Sequence, residues 1–365
     1  MKPAKSPPHK AGRPRWILHV QAQFWRFLMG IGMYLHRLAP PRPPKPNFSR
    51  TIPCTVSPRP GTMVLHFYVP PKYPSPWKAN QKRYPVVVNF HGGGFTLGKA
   101  KDDARWCKTV VDELSAVCVS VDYRLAPEHP FPTAVEDGVD AILYLAHHAE
   151  ELNIDLDKIA VSGFSSGANM SFTVPLRLQE EMLSELTPSS DSDSTTTSMM
   201  QKAISRGRTL VAVQQEVRLR AIVAWYPPTD YTVTRAQRRQ TCARADQELP
   251  AIFTELFDES YLSPPTMDMS NPYLSPGVAP DYMLAGLPDD IILFCCEWDM
   301  LLAEGERFRD RLVNQLKKNV IYQMVLGVPH GWDKAPNPIK PTPGVKEYYL
   351  RACGELRKIF NSEDS

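Results

Sequence analysis

Acidic residues are missing from the start of this chain: residues 1–50 hold ten Lys or Arg and no Asp or Glu. Long apolar runs are missing too. The only apolar-rich stretch near the N-terminus is interrupted by His19, Gln21, Gln23, Arg26 and His36, so nothing approaches the ~20 residues that a membrane span needs. No apolar core leads into a small-residue cleavage site, which argues against a secretory leader. The seven cysteines, Cys54, Cys107, Cys118, Cys242, Cys295, Cys296 and Cys353, are odd in number and lack metal-ligand spacing. They are expected to be reduced core residues of a cytoplasmic protein, with no metal site. Charge of one sign is scarce overall, at a net +3. Without a basic stripe interleaved with aromatics, nucleic acid is not an expected partner. No internal repeat is visible. What remains is ordinary for a globular protein, 43% hydrophobic and 22% charged in 365 residues, enough for a substantial core.

Within residues 1–50, Trp16, Val20, Phe24, Phe27, Ile31, Leu35 and Leu38 recur at spacings of three or four, which predicts one apolar face of an amphipathic helix. That face either packs on the body of the protein or lies on an anionic membrane surface as a peripheral contact; packing is the expectation carried forward. A proline-rich linker, 39–46, ends the helix. From residue 51 onward, strand-like apolar runs alternate with helical segments. The runs are 63–69, Pro85 to Phe90, Ala116 to Tyr123, Ile159 to Val161, Leu219 to Tyr226, Ile291 to Cys296 and Val320 to Val328. Such alternation predicts an α/β fold with a mostly parallel sheet flanked by helices. Residues 185–209 are Ser/Thr-rich and aperiodic, and are expected to form a mobile insertion. A mixed, mainly helical segment, 231–285, separates 51–230 from 286–365.

Chemistry concentrates at the ends of those runs. Gly163-Phe-Ser-Ser-Gly167 sits between a strand and a helix, the setting in which a serine is exposed at the tip of a strained turn. Flanking glycines let strand and helix approach there. An activated serine needs three further things. Backbone N–H donors for an oxyanion are offered by Gly93 and Gly94, in the glycine run after Phe90, with the N–H of Ser166. A general base is offered by His330, just after the last strand. A carboxylate to orient that base is offered by Asp299, which would otherwise read as a helix cap. Ser165, Asp299 and His330 each follow a predicted strand, in the chain order used by hydrolases of this type. The glycine run lacks the Lys-Ser/Thr tail of a phosphate-cradling loop, and no cofactor is expected. His91 is read as shaping the glycine loop.

These motifs resemble the hormone-sensitive lipase branch of the α/β-hydrolases. The resemblance rests on His91-Gly-Gly-Gly-Phe95, Asp122-Tyr-Arg-Leu-Ala-Pro-Glu-His-Pro-Phe-Pro132, Gly163 to Gly167, Glu297-x-Asp299-x-Leu301 with Glu304-Gly305, and His330-Gly331. It covers Val86 to the C-terminus and implies serine carboxylesterase activity and an α/β-hydrolase fold, with 51–230 and 286–365 as catalytic domain and a helical cap built from the N-terminal segment and 231–285. Two positions depart from the family pattern, Phe164 for the usual Asp and Ser166 for the usual Ala. The second leaves the backbone donor intact.

Phe95, Phe164, Trp298 and Trp332, with Met300, suggest an apolar substrate pocket. The expected substrate is a neutral ester of short or medium acyl length, such as an acetyl ester of a bulky apolar metabolite. A basic N-terminal helix also resembles hydrolases of fungal secondary metabolism. Relatives of this family include dehydratases, which replace the serine, and receptors, which lose the histidine. Elimination, acyl transfer or small-molecule binding are therefore the rival readings, and the presence of Ser165 and His330 favours hydrolysis.

Overall fold

A computed structural model describes residues 12–74, 83–186 and 217–362. Eight strands form a single sheet: β1 (Phe48–Pro53), β2 (Thr62–Tyr68), β3 (Tyr84–Phe90), β4 (Val117–Asp122), β5 (Ile154–Phe164), β6 (Leu219–Trp225), β7 (Asp290–Trp298) and β8 (Asn319–Pro329). Their order is β1-β2-β4-β3-β5-β6-β7-β8. β2 runs antiparallel to β1 and β4, and every later pairing is parallel. Parallel strands buried on both faces read as unbroken apolar runs. β3 is the clearest case: Val86, Val88 and Phe90 join one core while Val87 joins the other.

Helices cover both faces. α2 (Ala104–Leu114) contributes Trp106, Cys107 and Val110 to one core, together with Tyr349, Cys353 and Leu356 of the last helix, Val345–Asn361. α3 (Thr133–His147) and α4 (Ser166–Leu186) cover the opposite face. The Ser/Thr-rich stretch expected at 185–209 lies outside the described residues beyond residue 186. The cap region contains α5 (Arg235–Gln240), α6 (Ala251–Tyr261) and α7 (Asp281–Ala285); α8 (Leu302–Asn314) and α9 (Val345–Asn361) complete the fold. Six of the seven cysteines are buried and none is in a disulfide.

The first helix corrects the expectation for its packing face. α1 (Arg15–Leu38) lies against the cap and body through Leu18, Ala22, Met33 and His36, whereas Trp16, Val20, Phe24, Phe27 and Ile31 face solvent. Arginines fix its position. Arg26 donates to the carbonyls of Thr96 and Ala126 and to both oxygens of Glu128. Arg13 donates from its backbone N–H and its side chain to Glu259 on α6, and Arg37 pairs with Asp102. The Trp25 ring meets Phe253 of α6 edge-on at 4.7 Å. No described helix is long and apolar enough to cross a membrane.

Candidate active site

The sharp turn between β5 and α4 carries Ser165 at φ 53°, a left-handed conformation costing of order 1–3 kcal/mol for a non-glycine residue. The surroundings enforce it. The Ser165 N–H donates to the Trp225 carbonyl at 2.9 Å. Side chains are excluded on either side, since a Cβ on Gly163 would lie 2.1 Å from the Gly167 oxygen and one on Gly167 2.0 Å from the Phe90 oxygen. Ser165 Oγ is 2.8 Å from His330 Nε2, and His330 Nδ1 is 2.6 Å from Asp299 Oδ2. A carboxylate facing Nδ1 makes that nitrogen the proton donor and leaves Nε2 free to accept from the serine hydroxyl. The other Asp299 oxygen accepts the Leu301 N–H at 3.0 Å. Asp299 therefore pins the start of α8 and the imidazole at once.

The glycine loop is held from outside the site. The Tyr123 hydroxyl donates to the His91 carbonyl at 2.8 Å and its ring stacks on the His91 ring at 4.2 Å. Arg124, next in the chain, grips Asp137 through its backbone N–H and guanidinium and reaches the Arg59 carbonyl. Tyr123 thus braces the loop, and Arg124 ties the Asp-Tyr-Arg motif to α3. Gly94 has φ 61°, and a Cβ there would strike the Phe257 ring at 2.2 Å. Gly94, Ser165, Ser166, Asp299 and His330 all line one cavity, in which a water-sized sphere has about 30 Å³ of space. Gly93 stands behind Gly94 in the same loop, at φ 123°.

The expected aromatic pocket needs correction. Of the four aromatics, Phe95 lines the cavity, stacked on Tyr261 at 3.8 Å. Strand alternation turns Phe164 into the core beneath the sheet, stacked on Trp225. Trp298, at the end of β7, lies under the Arg244 guanidinium. Trp332 is buried edge-on against Tyr348. Met300 lines the cavity as expected, and the rest of its wall comes from cap residues that no motif marked, Leu249, Phe257 and Tyr261 among them. Two of the cap residues are charged. Arg235 donates to Asp258 through Nε and Nη2, at 2.9 and 2.7 Å. Burial opposes the Arg235 charge, yet Asp258 more than offsets it and the pKa is raised.

A second cluster, also unmarked, supports the histidine from behind. The Lys334 ammonium lies 3.0 Å from Asp103 and 2.6 Å from Asp333, and 3.7 Å from the centre of the Phe164 ring. Tyr226 and Tyr349 donate to the two Asp333 oxygens, each at 2.5 Å. The Tyr226 ring meets the His330 ring edge-on at 4.8 Å. Burial raises the Asp103 pKa against the pull of Lys334; at Asp333 burial also acts upward, but Lys334 and the tyrosine hydroxyls win and the pKa is lowered. Among the described residues, no group of three His, Cys, Asp or Glu side chains could hold a metal ion.

Residues 87–334 match the model of a family described as having the alpha/beta hydrolase fold. An esterase, LipI, from Mycobacterium tuberculosis is 36% identical over 140 residues, 38% of this chain and 42% of that protein. An arylesterase from Saccharolobus solfataricus is 29% identical over 228 residues, 62% of each chain. The matched segments thus span less than two thirds of either relative. Among solved structures, the Pyrobaculum calidifontis esterase superposes with a TM-score of 0.68 at 25% identity, over 96% of this chain and all of that one.

Proposed function

We propose, because the chain belongs to the alpha/beta hydrolase fold family and to its hormone-sensitive lipase branch, that it hydrolyses carboxylic esters through an acyl-enzyme on Ser165. One observation carries the reading: the continuous hydrogen-bonded relay from Ser165 Oγ through the imidazole to Asp299, opening on a cavity. His330 Nε2 takes the hydroxyl proton as Ser165 Oγ bonds to the ester carbonyl carbon. The carbonyl oxygen becomes an anion, stabilised by the N–H groups of Gly93, Gly94 and Ser166 at the start of α4. As the C–O bond to the alcohol breaks, His330 returns the proton to the departing oxygen. A water then repeats the sequence on the acyl-enzyme, releases the acid and restores Ser165.

The narrow cavity and its apolar walls, Phe95, Leu249, Phe257 and Met300, support a neutral ester with a short acyl group. The Arg235–Asp258 pair modifies that preference, since it offers unused guanidinium donors without net charge. A substrate oxygen beyond the scissile ester suits such a wall better than pure hydrocarbon. Elimination and simple binding are less favoured, because neither needs a serine hydrogen-bonded to a carboxylate-oriented histidine. The test is hydrolysis of p-nitrophenyl esters from acetate to decanoate by wild type and Ser165→Ala. Turnover that peaks at short chains and drops at least about 10⁴-fold in the variant is expected. No turnover by wild type on any member, or equal turnover by the variant, overturns the reading.

A further inference from the structure

The outward face of α1 has no partner within the described chain. Trp16, Val20, Phe24, Phe27, Ile31 and Tyr34 are all exposed, Trp16 by 68% and Phe27 by 67%. At ~100° per residue these six side chains fall within about 80° of arc, a continuous apolar stripe roughly 27 Å long. The buried residues Leu18, Ala22, Met33 and His36 fall on the opposite side of the helix. The stripe is therefore not the rim of the packed face but a second apolar face. A helix serving only as part of a cap needs one such face; a contiguous exposed patch of this size marks an interaction surface.

Three features select the occupant. The stripe mixes Trp, Tyr and Phe with aliphatic residues, the composition that settles at the boundary between lipid headgroups and acyl chains. The charge is of one sign: α1 contains no acidic residue, Lys2, Lys5 and Lys10 precede it in the sequence, and Arg42 and Lys45 are exposed just beyond its end. The helix is also clamped to the body by Arg13, Arg26 and Arg37, so the stripe is presented in advance without the cost of ordering a free segment.

We propose that α1 docks this protein on an anionic phospholipid surface, its axis in the plane of the bilayer and the Trp16–Tyr34 stripe sunk among the headgroups. α6 packs on α1 through Phe253 and lines the cavity through Phe257 and Tyr261, so docking sets the cap directly above the lipid. This inference is independent of the esterase reading.

The experiment is co-flotation of the full chain with vesicles of phosphatidylcholine alone and of phosphatidylcholine with phosphatidylserine. The comparison protein is Trp16→Ser/Phe24→Ser/Phe27→Ser, three exposed positions, with an unchanged circular dichroism spectrum and thermal midpoint required of it. Wild type is expected to float with the phosphatidylserine vesicles, at least tenfold less at high salt or without the anionic lipid, and the variant at least tenfold less than wild type. Should the variant lose its fold, Phe27→Ser alone takes its place. Failure of wild type to float, equal flotation of the variant, or equal flotation on both lipids overturns the proposal. So does light scattering that shows a dimer dissolved by the substitutions, which assigns the stripe to a second copy of the chain.

Discussion

Replacing Lys334 by methionine probes how the histidine loop is held. The side chain keeps 18% exposure, but its ammonium lies between the nearly fully buried carboxylates of Asp103 and Asp333. Removing one partner of a buried ion pair costs roughly 3–5 kcal/mol; the partial exposure places Lys334→Met near the lower end, about 3 kcal/mol. At ~2 °C per kcal/mol for a domain somewhat smaller than this one, the thermal midpoint should fall by about 5 °C. The pH dependence carries the sign. With its pKa raised in the fold, Asp103 disfavours folding increasingly as pH rises from the ordinary Asp range through the raised value. Asp333 behaves oppositely: its lowered pKa adds stability above the ordinary Asp range, lost as pH falls. Without the lysine both pKa values move up, so the deficit of Lys334→Met against wild type should widen as pH rises above the ordinary Asp range. Adding Asp103→Asn should narrow the gap at pH 8. Because the loop carries His330 and the Tyr226 ring touches that histidine, kcat should fall more than KM rises. A deficit independent of pH, or unrelieved by Asp103→Asn, refutes the assignment of Lys334 as counter-ion to both carboxylates.

Arg235→Met should lower kcat/KM by about 10–100-fold for esters with an extra hydroxyl or carbonyl near the scissile bond, the scale of a lost charge-assisted hydrogen bond. Plain alkyl esters should change by less than about threefold; equal losses on both series would show that the pair only holds the cap together. Glu304→Gln should destabilise strongly, by about 3 kcal/mol in denaturant titration, because it breaks the buried contact with Arg238 at 2.6 Å. Glu128→Gln, at the half-exposed contact with Arg26, should cost less than about 1 kcal/mol while lowering KM for bulky esters.

Much of the fold is legible in local pattern because β3 to β8 are parallel strands whose apolar runs stand out, and because the site uses loops at their ends. Ser165, Asp299 and His330 were identifiable for that reason. The packing face of α1 is not legible in its sequence because the helix carries two faces: the larger side chains, Trp16 and Phe24, mark the outer one, while the buried one includes small or polar residues, Ala22 and His36. Phe164, Trp298 and Trp332 flank Ser165, Asp299 and His330 in sequence, yet alternation along a strand and the tight turn after His330 send each away from the cavity. Residues that do form its wall, such as Arg235 and Asp258, sit on short cap helices with no fixed spacing to any motif. The Asp103–Lys334 contact joins residues far apart in the chain, and neither has a local signal.

The cavity beside Ser165 is narrow, about 30 Å³, room for about two waters, and it is bounded by the cap. The contacts around the rim are unequal. On the α5 side, Glu304 is buried and accepts the Thr229 N–H as well as pairing with Arg238, so parting them strands a charge in low dielectric. On the α1–α6 side, Arg13–Glu259 and Arg26–Glu128 keep between 18% and 31% exposure, and each can exchange its partner for water at little cost. α5 and α6 are themselves tied together by Arg235–Asp258, so the contacts that part at least cost are the half-buried ion pairs on the α1 side. Phe257, whose ring sits where a Gly94 Cβ would be, stands directly over the glycine loop beside Ser165.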